Sequence, residues 1–201
     1  MRGSISDEAL MQSYAKGSID AFEELLARHR GPVFGYLCRM LKNRDLAEDT
    51  LQEVFIRVIN SRTRYKKSAK FTTWLYRIAH NACIDALRRE RYRKTESLSE
   101  PLGDTEGSAM KLQDVIPNTN PGPDETLARE QFTEALKGCI ERLSPEQREV
   151  FMLRQYQDLP FQEIARVTRT SESTVKSRMR YALNNLRTML VNERIVEGVT
   201  L

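Results

Sequence analysis

Long hydrophobic runs are missing from this sequence. No segment approaches the ~18–20 consecutive apolar residues that a membrane-spanning helix needs. The first residues, MRGSISDEAL, contain no apolar core of the kind that a secretory signal requires. We therefore expect a cytoplasmic protein.

Cysteine is scarce, with three residues in the 201-residue chain. Cys38, Cys83 and Cys139 are far apart, and each has apolar neighbours. Their odd number and the absence of a CxxC or Cys/His pair give no metal-ligand spacing. We predict three buried thiols, no metal and no cofactor.

The alternation of apolar and polar residues that is typical of β-strands is also absent, and helical periodicity takes its place. A short helix is predicted after Ser6, and a second helix after the cap Ser18. Gly31-Pro32 predicts a break, with a new helix restarting at Val33. Two further helices are predicted at about Asp45–Ile59 and Phe71–Tyr92.

Charge is distributed unevenly, although the net charge is only +4 and the pI is near 9.0. Residues 62–94 are strongly basic, residues 95–130 are acidic, and residues 166–187 are basic again with Glu172 as the single acid. This pattern indicates two DNA contacts separated by a segment that does not bind DNA.

Most of the acidic region is predicted to be a linker. Residues 95–123 lack periodicity, are rich in Ser, Gly and acids, and end in PNTNPGP. About thirty extended residues reach on the order of 100 Å, more than the roughly 70 Å of two DNA turns. We predict an all-α chain with domains at 1–94 and 124–190, the linker 95–123 between them, and a tail at 191–201.

The C-terminal domain has the pattern of a helix-turn-helix. A helix from Asp124 places Leu127, Phe132, Ala135, Leu136, Cys139 and Leu143 inside. Ser144-Pro145-Glu146-Gln147 forms a capping box for the next helix. A short helix at 161–167 and a turn at Arg169-Thr170 precede a longer helix capped by Ser171. Its predicted apolar stripe is Val175, Met179, Ala182, Leu183 and Leu186.

The opposite face of that last helix carries Ser173, Lys176, Ser177, Arg180, Asn184 and Arg187. Cationic side chains at the start of such a helix can donate to guanine in the major groove. A helical hairpin with a solvated basic face is the alternative.

The helix at 45–59 is amphipathic, with Ala47, Leu51, Val54, Phe55 and Val58 predicted inside. Asp45, Glu48, Asp49, Gln52 and Glu53 face outward, and Ile56 projects into this acidic face. Clustered carboxylates can form a metal or hydrolytic site, or a plain solvated face, but no His shares this one. An apolar residue among polar ones favours a protein interface.

Cations alternate with aromatic residues in the loop 61–70 and the helix after it, a composition that suits single-stranded DNA. The predicted inner face of the helix is Phe71, Trp74, Leu75, Ile78, Ala79 and Ala82. The predicted outer face is Thr73, Arg77, His80, Asn81 and Arg88, with Tyr76 at its margin.

Five motifs in order now resemble a bacterial RNA polymerase sigma factor of the extracytoplasmic-function (ECF, group IV) type, which keeps only the two conserved domains. The resemblance covers nearly all of residues 7–190. The motifs are Asp20-Ala21-Phe22, the run 49–55 (DTLQEVF), the run 71–81 (FTTWLYRIAHN) with Asp85 and Arg88, Leu143-Ser144-Pro145, and the run 174–178 (TVKSR).

The resemblance implies a non-catalytic protein without a small-molecule substrate. Region 2 (1–94) would dock on the clamp helices of the polymerase β′ subunit and open the −10 element. Region 4 (124–190) would contact the β flap and recognise the −35 element, with the linker threading through the core enzyme. An anti-sigma factor, commonly a membrane protein, would hold the chain inactive, with sequestration at the inner face of the membrane.

The resemblance also implies site residues. Core-polymerase binding falls on Asp45, Glu48, Asp49, Gln52, Glu53 and Ile56. Contact with −10 DNA falls on Arg64, Lys67, Lys70, Thr73, Tyr76, Arg77, Asn81 and Arg88. Contact with −35 DNA falls on Ser171, Ser173, Thr174, Lys176, Ser177, Arg178, Arg180 and Arg187.

Two other functions fit parts of the sequence. A ligand-sensing regulator would pair a pocket-forming N-terminal domain with the helix-turn-helix. A nucleic-acid enzyme would use the carboxylates between Asp45 and Glu53. Three positions depart from the family pattern: Pro160 replaces a common Ser cap, Arg169 a common turn Gly, and Ser173 a common Gly.

Overall fold

The computed structural model describes residues 5–65, 70–96 and 123–192, and the side chains of all these except 94–96 and 123–131. These residues form eight α-helices, one short 3-10 helix and no strand, which confirms the all-α prediction. The α-helices are α1 (Asp7–Ala15), α2 (Ile19–Leu41), α3 (Arg44–Asn60), α4 (Phe71–Glu96), α5 (Pro123–Arg142), α6 (Pro145–Gln155), α7 (Phe161–Thr168) and α8 (Glu172–Asn192).

The first four helices pack around a shared apolar core. α2 contacts α1, α3 and α4, and α4 also contacts α3 and α1. Each of these four helices contributes side chains that are almost completely buried: Met11, Leu25, Val33, Tyr36, Leu37, Val54, Phe71 and Leu75.

Side-chain caps begin these helices where the sequence predicts them. Ser6 accepts a hydrogen bond from the Ala9 amide, and Ser18 accepts one from the Ala21 amide. Each such cap satisfies a backbone donor that has no partner inside the helix. Both predicted starts are therefore confirmed.

The predicted break at Gly31-Pro32 is wrong, because α2 is one helix from Ile19 to Leu41 with Pro32 inside it. Proline in a helix interior costs about 3 kcal/mol relative to alanine. Here Gly31 and Pro32 both lie on the exposed face, while the opposite face buries apolar side chains before and after them. Packing on both sides of the proline therefore outweighs the local preference to stop.

The C-terminal helices α5 and α6 both pack against α8. Their core includes Ile140, Leu143, Val150, Met152, Leu153, Val175 and Ala182. Ser144 accepts a hydrogen bond from the Gln147 amide and Pro145 is the first residue of α6, so the Ser144 half of the predicted capping box is confirmed. The Gln147 side chain accepts a hydrogen bond from Asn185 of α8 at 2.9 Å.

Arg148 joins the end of α5 to α6 from inside the core. Its side chain is buried, with 3% of the residue exposed. It donates to the carbonyl oxygens of Ile140 at 3.2 Å, Glu141 at 2.8 Å and Leu143 at 2.9 Å. The last carbonyls of a helix have no partner within it, so this guanidinium caps α5. Burial lowers its pKa from the usual arginine value, against the charge of Glu141.

The prediction that Phe132 and Leu183 lie in the core is wrong, because they are 39% and 46% exposed. Leu183 lies beside the buried stripe of α8 rather than on it, since Val175, Met179, Ala182 and Leu186 already fill that stripe. Cys83 and Cys139 are buried as predicted and Cys38 is half-buried. The predicted core residue Leu127, most of the linker and the tail beyond Asn192 lie outside the described residues and side chains.

Candidate functional site

Four side chains form an exposed line along α3, which we call the α3 stripe: Asp45, Asp49, Gln52 and Ile56. Their spacing returns each one to the same side of the helix. Ile56 is 55% exposed, as the sequence predicts. The stripe is therefore acidic at one end, with a bare apolar side chain at the other.

An open groove runs beside this stripe between α2 and α3. Its lining includes Phe34, Glu48, Gln52 and Phe55. Arg44 crosses one end, with its guanidinium 5.7 Å from the Phe34 ring and its Nε 3.1 Å from a Glu48 carboxylate oxygen. Glu48 is exposed, as predicted, but it has a partner on its own helix.

Glu53 was predicted to face solvent, and this is wrong, since its side chain is only 29% exposed. Arg57 donates to one carboxylate oxygen and Arg89 of α4 donates to the other at 2.8 Å. Arg57 also donates to Asp85 of α4 at 2.8 Å. Partial burial opposes ionisation of Glu53, but the bonds from Arg89 and Arg57 outweigh it and lower its pKa. Glu53 thus joins α3 to α4.

A second line of polar side chains, the α4 stripe, consists of Lys70, which directly precedes α4, and of Arg77, Asn81 and Arg88 on α4. Helical spacing places these four on one side of α4. Lys70, Arg77 and Arg88 are exposed and Asn81 is half-buried. Arg64 is exposed in the short 3-10 helix Arg62–Arg64 that precedes α4, whereas Lys67 lies outside the described residues.

Thr73 and Tyr76 were predicted on the outer face of α4 and its margin, and this is wrong. They are 5% and 1% exposed, and their hydroxyls have no hydrogen-bond partner among the described residues. The Tyr76 ring meets Tyr36 of α2 edge-on, with ring centroids 5.5 Å apart. Burial raises the pKa of Tyr76. For Tyr76 the cause is the packing of α4 against α2, which covers a wider part of α4 than its apolar periodicity indicates.

Ile84 is a surface residue that the sequence patterns did not single out. It lies on α4 between Asn81 and Arg88, three residues after Asn81, and is 41% exposed. Its spacing from Asn81 was the available signal. An apolar side chain in this position can contact sugars or a thymine methyl group.

The start of α8 carries a small cluster of hydroxyl groups. Ser171 accepts a hydrogen bond from the Thr174 amide at 3.1 Å, which confirms the predicted cap. Its hydroxyl also lies 2.8 Å from that of Ser173 and 2.7 Å from that of Thr174. Arg169, in the turn before it, has a φ of 53°, the left-handed conformation that glycine adopts most easily. The turn thus keeps its backbone geometry although it lacks glycine.

The outer face of α8 is exposed as predicted at Ser173, Lys176, Ser177, Arg180, Asn184 and Arg187, while Arg178 is half-buried. Lys176 pairs with Glu172 one turn earlier, at 2.7 Å. Because both side chains are about half exposed, this pair is weak and can exchange for another partner.

An all-α chain with these two cationic faces has the architecture of a two-domain DNA-binding protein. The sequence profile described as Sigma-70 region 2 matches residues 25–93, and the profile described as Sigma-70, region 4 matches residues 133–186. The RNA polymerase sigma factor CarQ of Myxococcus xanthus is 35% identical over 180 residues, which cover 90% of this chain and 95% of CarQ. The chain therefore belongs to the sigma-70 family of RNA polymerase sigma factors, in its ECF group.

Further relatives agree. The ECF RNA polymerase sigma factor SigW of Bacillus subtilis is 30% identical over 175 residues, 87% of this chain and 91% of SigW. The fold matches the sigma factor RpoE solved with the anti-sigma factor NepR from Bartonella quintana, with a TM-score of 0.66, 18% identity, and coverage of 86% of this chain and 98% of that one. It also matches CnrH solved with the cytosolic domain of CnrY, with a TM-score of 0.64, 21% identity, and coverage of 94% and 99%.

As a sigma factor, the chain binds core RNA polymerase and directs promoter-specific initiation of transcription. The region 2 match occupies the part of the chain that a ligand-sensing regulator would use for its sensor, which rules out that alternative. No helix among the described residues is long and apolar enough to cross a membrane.

Proposed function

We propose that residues 1–94 act as region 2 and residues 124–190 as region 4, joined by the linker 95–123, in a factor with no catalytic step of its own. The observation that carries this proposal is the α4 stripe, where Lys70, Arg77, Asn81 and Arg88 share one accessible side of a helix. Three cations and one amide on a rigid helix combine phosphate binding with a group able to recognise a base edge.

Core polymerase docks, in this proposal, on the α3 stripe and on Glu48. The support is the exposed Ile56, an apolar anchor within a polar rim, next to a groove floored by Phe34 and Phe55. Glu53 stays with α4 and supports the interface by holding the two helices together. The β′ clamp helices are the proposed partner of this surface.

The −10 element contacts the α4 stripe together with Arg64 and Lys67. Arg64, Lys70, Arg77 and Arg88 supply charge for phosphates, and Asn81 supplies the group for a base. Thr73 and Tyr76 are left out of this surface, because their buried hydroxyls do not reach solvent.

Asn81→Ala is the test of the −10 surface. We expect closed-complex formation close to that of wild type and a loss of −10 melting, because the lost contact is with a base that is exposed only when the strands separate. Permanganate reactivity of promoter thymines measures the melting. Asn60→Ala, which removes an exposed amide at the end of α3, is the matched control. Thymine reactivity equal to that of wild type would refute the role of Asn81.

The −35 element contacts the start and outer face of α8. Ser171, Ser173 and Thr174 lie at the helix N-terminus, where backbone amides and hydroxyls suit a phosphate. Lys176, Ser177, Arg178 and Arg180 follow on the next turn. Arg187 lies eleven residues beyond Lys176, about 16 Å along the helix axis, where a straight helix is leaving the groove. The β flap is the proposed polymerase contact of this domain.

Lys176 and Arg187 are expected to make different kinds of DNA contact, the first with a base and the second with a phosphate. Lys176→Ala should cost about 1–3 kcal/mol of binding and relax preference at one −35 base pair, because it removes a donor to a base edge. Arg187→Ala should weaken all sequences about equally and lower the salt slope by about one unit, because it removes a phosphate contact. Affinities for a set of −35 variants across a salt series measure both effects.

Glu172→Ala is the control for this pair, since it removes the partner of Lys176 and leaves the lysine in place. We expect it to keep the sequence preference of wild type. A uniform loss of affinity in Lys176→Ala, equal for every −35 variant, would show that α8 is placed wrongly in the groove.

An anti-sigma factor is the further partner in this proposal. Its support is that the sigma factor RpoE, which has this fold, was solved in complex with the anti-sigma factor NepR, and that CnrH, which also has this fold, was solved in complex with the cytosolic domain of CnrY. Sequestration at the inner face of the membrane, and location in the cytoplasm, stay predictions.

A further inference from the structure

The first turn of α4 is capped by a residue from a different helix. The Lys70 carbonyl accepts the first helical hydrogen bond, from the Trp74 amide at 3.1 Å, so Lys70 occupies the N-cap position. A lysine side chain has no acceptor and cannot cap the amides that follow. Glu8 of α1 takes over, with its Oε1 accepting a hydrogen bond from the Phe71 amide at 3.0 Å. A carboxylate here also interacts favourably with the helix dipole.

The position of Glu8 is itself held by its neighbour Asp7. Asp7 accepts a hydrogen bond from Arg28 of α2 at 2.8 Å, and its other oxygen lies 2.7 Å from Nε2 of His29. Arg28 also donates to the Ile5 carbonyl at 2.7 Å, just before α1. The start of α1 is thus attached to α2 at several points, and these bonds fix the position from which Glu8 reaches α4.

Aromatic contacts join Tyr65 to the first turn of α4. The Tyr65 ring lies 6.2 Å from that of Phe71 and 5.3 Å from that of Trp74, between ring centroids. The ring of His29 of α2 lies tilted against the Phe71 ring, with ring centroids 5.1 Å apart. Burial, followed by the negative charges of Glu8 and Asp7, raises the pKa of Tyr65 to about 12. Glu8 therefore holds Phe71 directly, and it acts on Tyr65 through the contact between the Phe71 and Tyr65 rings.

We propose that Glu8 is a positioning residue for promoter opening, which sets the first turn of α4 and Tyr65 so that the α4 stripe meets −10 DNA in one fixed arrangement. This inference rests on the −10 surface proposed above. Preorganised contacts are stronger because less conformational freedom is lost on binding. Glu8 itself contacts no DNA in this scheme.

The packing of α4 separates this role from general stability. Beyond the first turn, α4 is held by Leu75, Ala79, Ala82 and Ala86, all completely buried. Loss of the Glu8 cap should therefore loosen the backbone at the start of α4, where Lys70 lies, while the buried Phe71 and Trp74 and the rest of the helix stay in place. Binding steps that use other surfaces, such as docking of the α3 stripe, should not change.

The experiment compares Glu8→Ala, Glu8→Gln and the control Glu24→Ala in the full chain bound to core polymerase. Glu24 is a half-exposed acid of α2 that pairs with Arg28, the arginine that also binds Asp7, but it does not cap α4. We expect Glu8→Ala to lower permanganate reactivity of the −10 thymines about tenfold, the order of effect that loss of one cap produces. Core binding and closed-complex affinity should stay within about twofold. Glu8→Gln should restore most of the opening, because its amide oxygen still accepts from Phe71.

Thymine reactivity in Glu8→Ala equal to that of wild type would overturn the inference. So would an equal loss of core binding, closed-complex affinity and opening together with a lower melting temperature, since that pattern is a plain stability effect. Asn81→Ala in the same assay separates the two proposals. If Asn81→Ala opens normally, the −10 surface itself is wrong; if only Glu8→Ala opens normally, the surface stands and the positioning role fails.

Discussion

Combining Gln52→Ala with Ile56→Glu is expected to abolish binding to core polymerase while the fold survives. Both side chains are exposed on the α3 stripe, so neither substitution disturbs the buried core. Central interface residues contribute about 2–4 kcal/mol each when removed, and the new carboxylate at position 56 must also lose water on docking. Together these effects predict a loss of at least ~100-fold in affinity.

Titration of labelled protein with core polymerase measures this loss, and circular dichroism with a melting curve checks the fold. Ile19→Glu is the matched control, because Ile19 is 67% exposed on a different helix, α2. Its affinity should equal that of wild type. Affinity of the double variant equal to that of wild type would rule out the α3 stripe as the docking surface.

Arg148→Met is expected to produce the largest loss of stability in the C-terminal domain. The variant fills similar space but removes the guanidinium that donates to three carbonyl oxygens at the end of α5, and only that of Ile140 keeps another donor among the described residues, the Leu143 amide. A buried acceptor left without a partner costs about 1–3 kcal/mol. A total loss of about 3 kcal/mol or more is a large part of the stability of a small domain. Urea unfolding followed by fluorescence or circular dichroism measures it.

Two further variants test whether the lost hydrogen bonds cause this loss of stability. Arg148→Lys keeps the charge but not the planar fork, so we expect it to lie between wild type and Arg148→Met. Arg180→Met removes an exposed arginine of α8 and should change the free energy of unfolding by less than about 0.5 kcal/mol. A stability of Arg148→Met equal to that of Arg180→Met would mean that water replaces the lost donor.

Most helices follow directly from local patterns. Ser6, Ser18, Ser144 and Ser171 each precede an apolar helical period, and each caps a helix in the structure. The exposed Ile56 follows in the same way, from its angle on α3. These features depend on residues three or four positions apart, which one helix brings together by itself.

The predictions that the structure contradicts failed because of contacts between helices. Pro32 continues a helix because packing on either side of it outweighs its local preference. Tyr76 and Glu53 were assigned to surfaces, yet the Tyr76 ring packs against Tyr36 of α2, and Arg89 of α4 donates a hydrogen bond to Glu53. In each case a second helix supplies the deciding interaction, and its position is not encoded in the periodicity of the first.

The sequence by itself determined the family, through five motifs in order, and the helical segments, through caps and apolar spacing. Only the tertiary structure decided the partners of polar groups: Glu8 at the start of α4, Arg148 at the end of α5, and Glu53 between Arg57 and Arg89. The physical reason is the separation along the chain between the residues that interact. Helical periodicity is a local property of the chain, whereas a cap or ion pair between helices depends on the distance between groups that folding alone brings together.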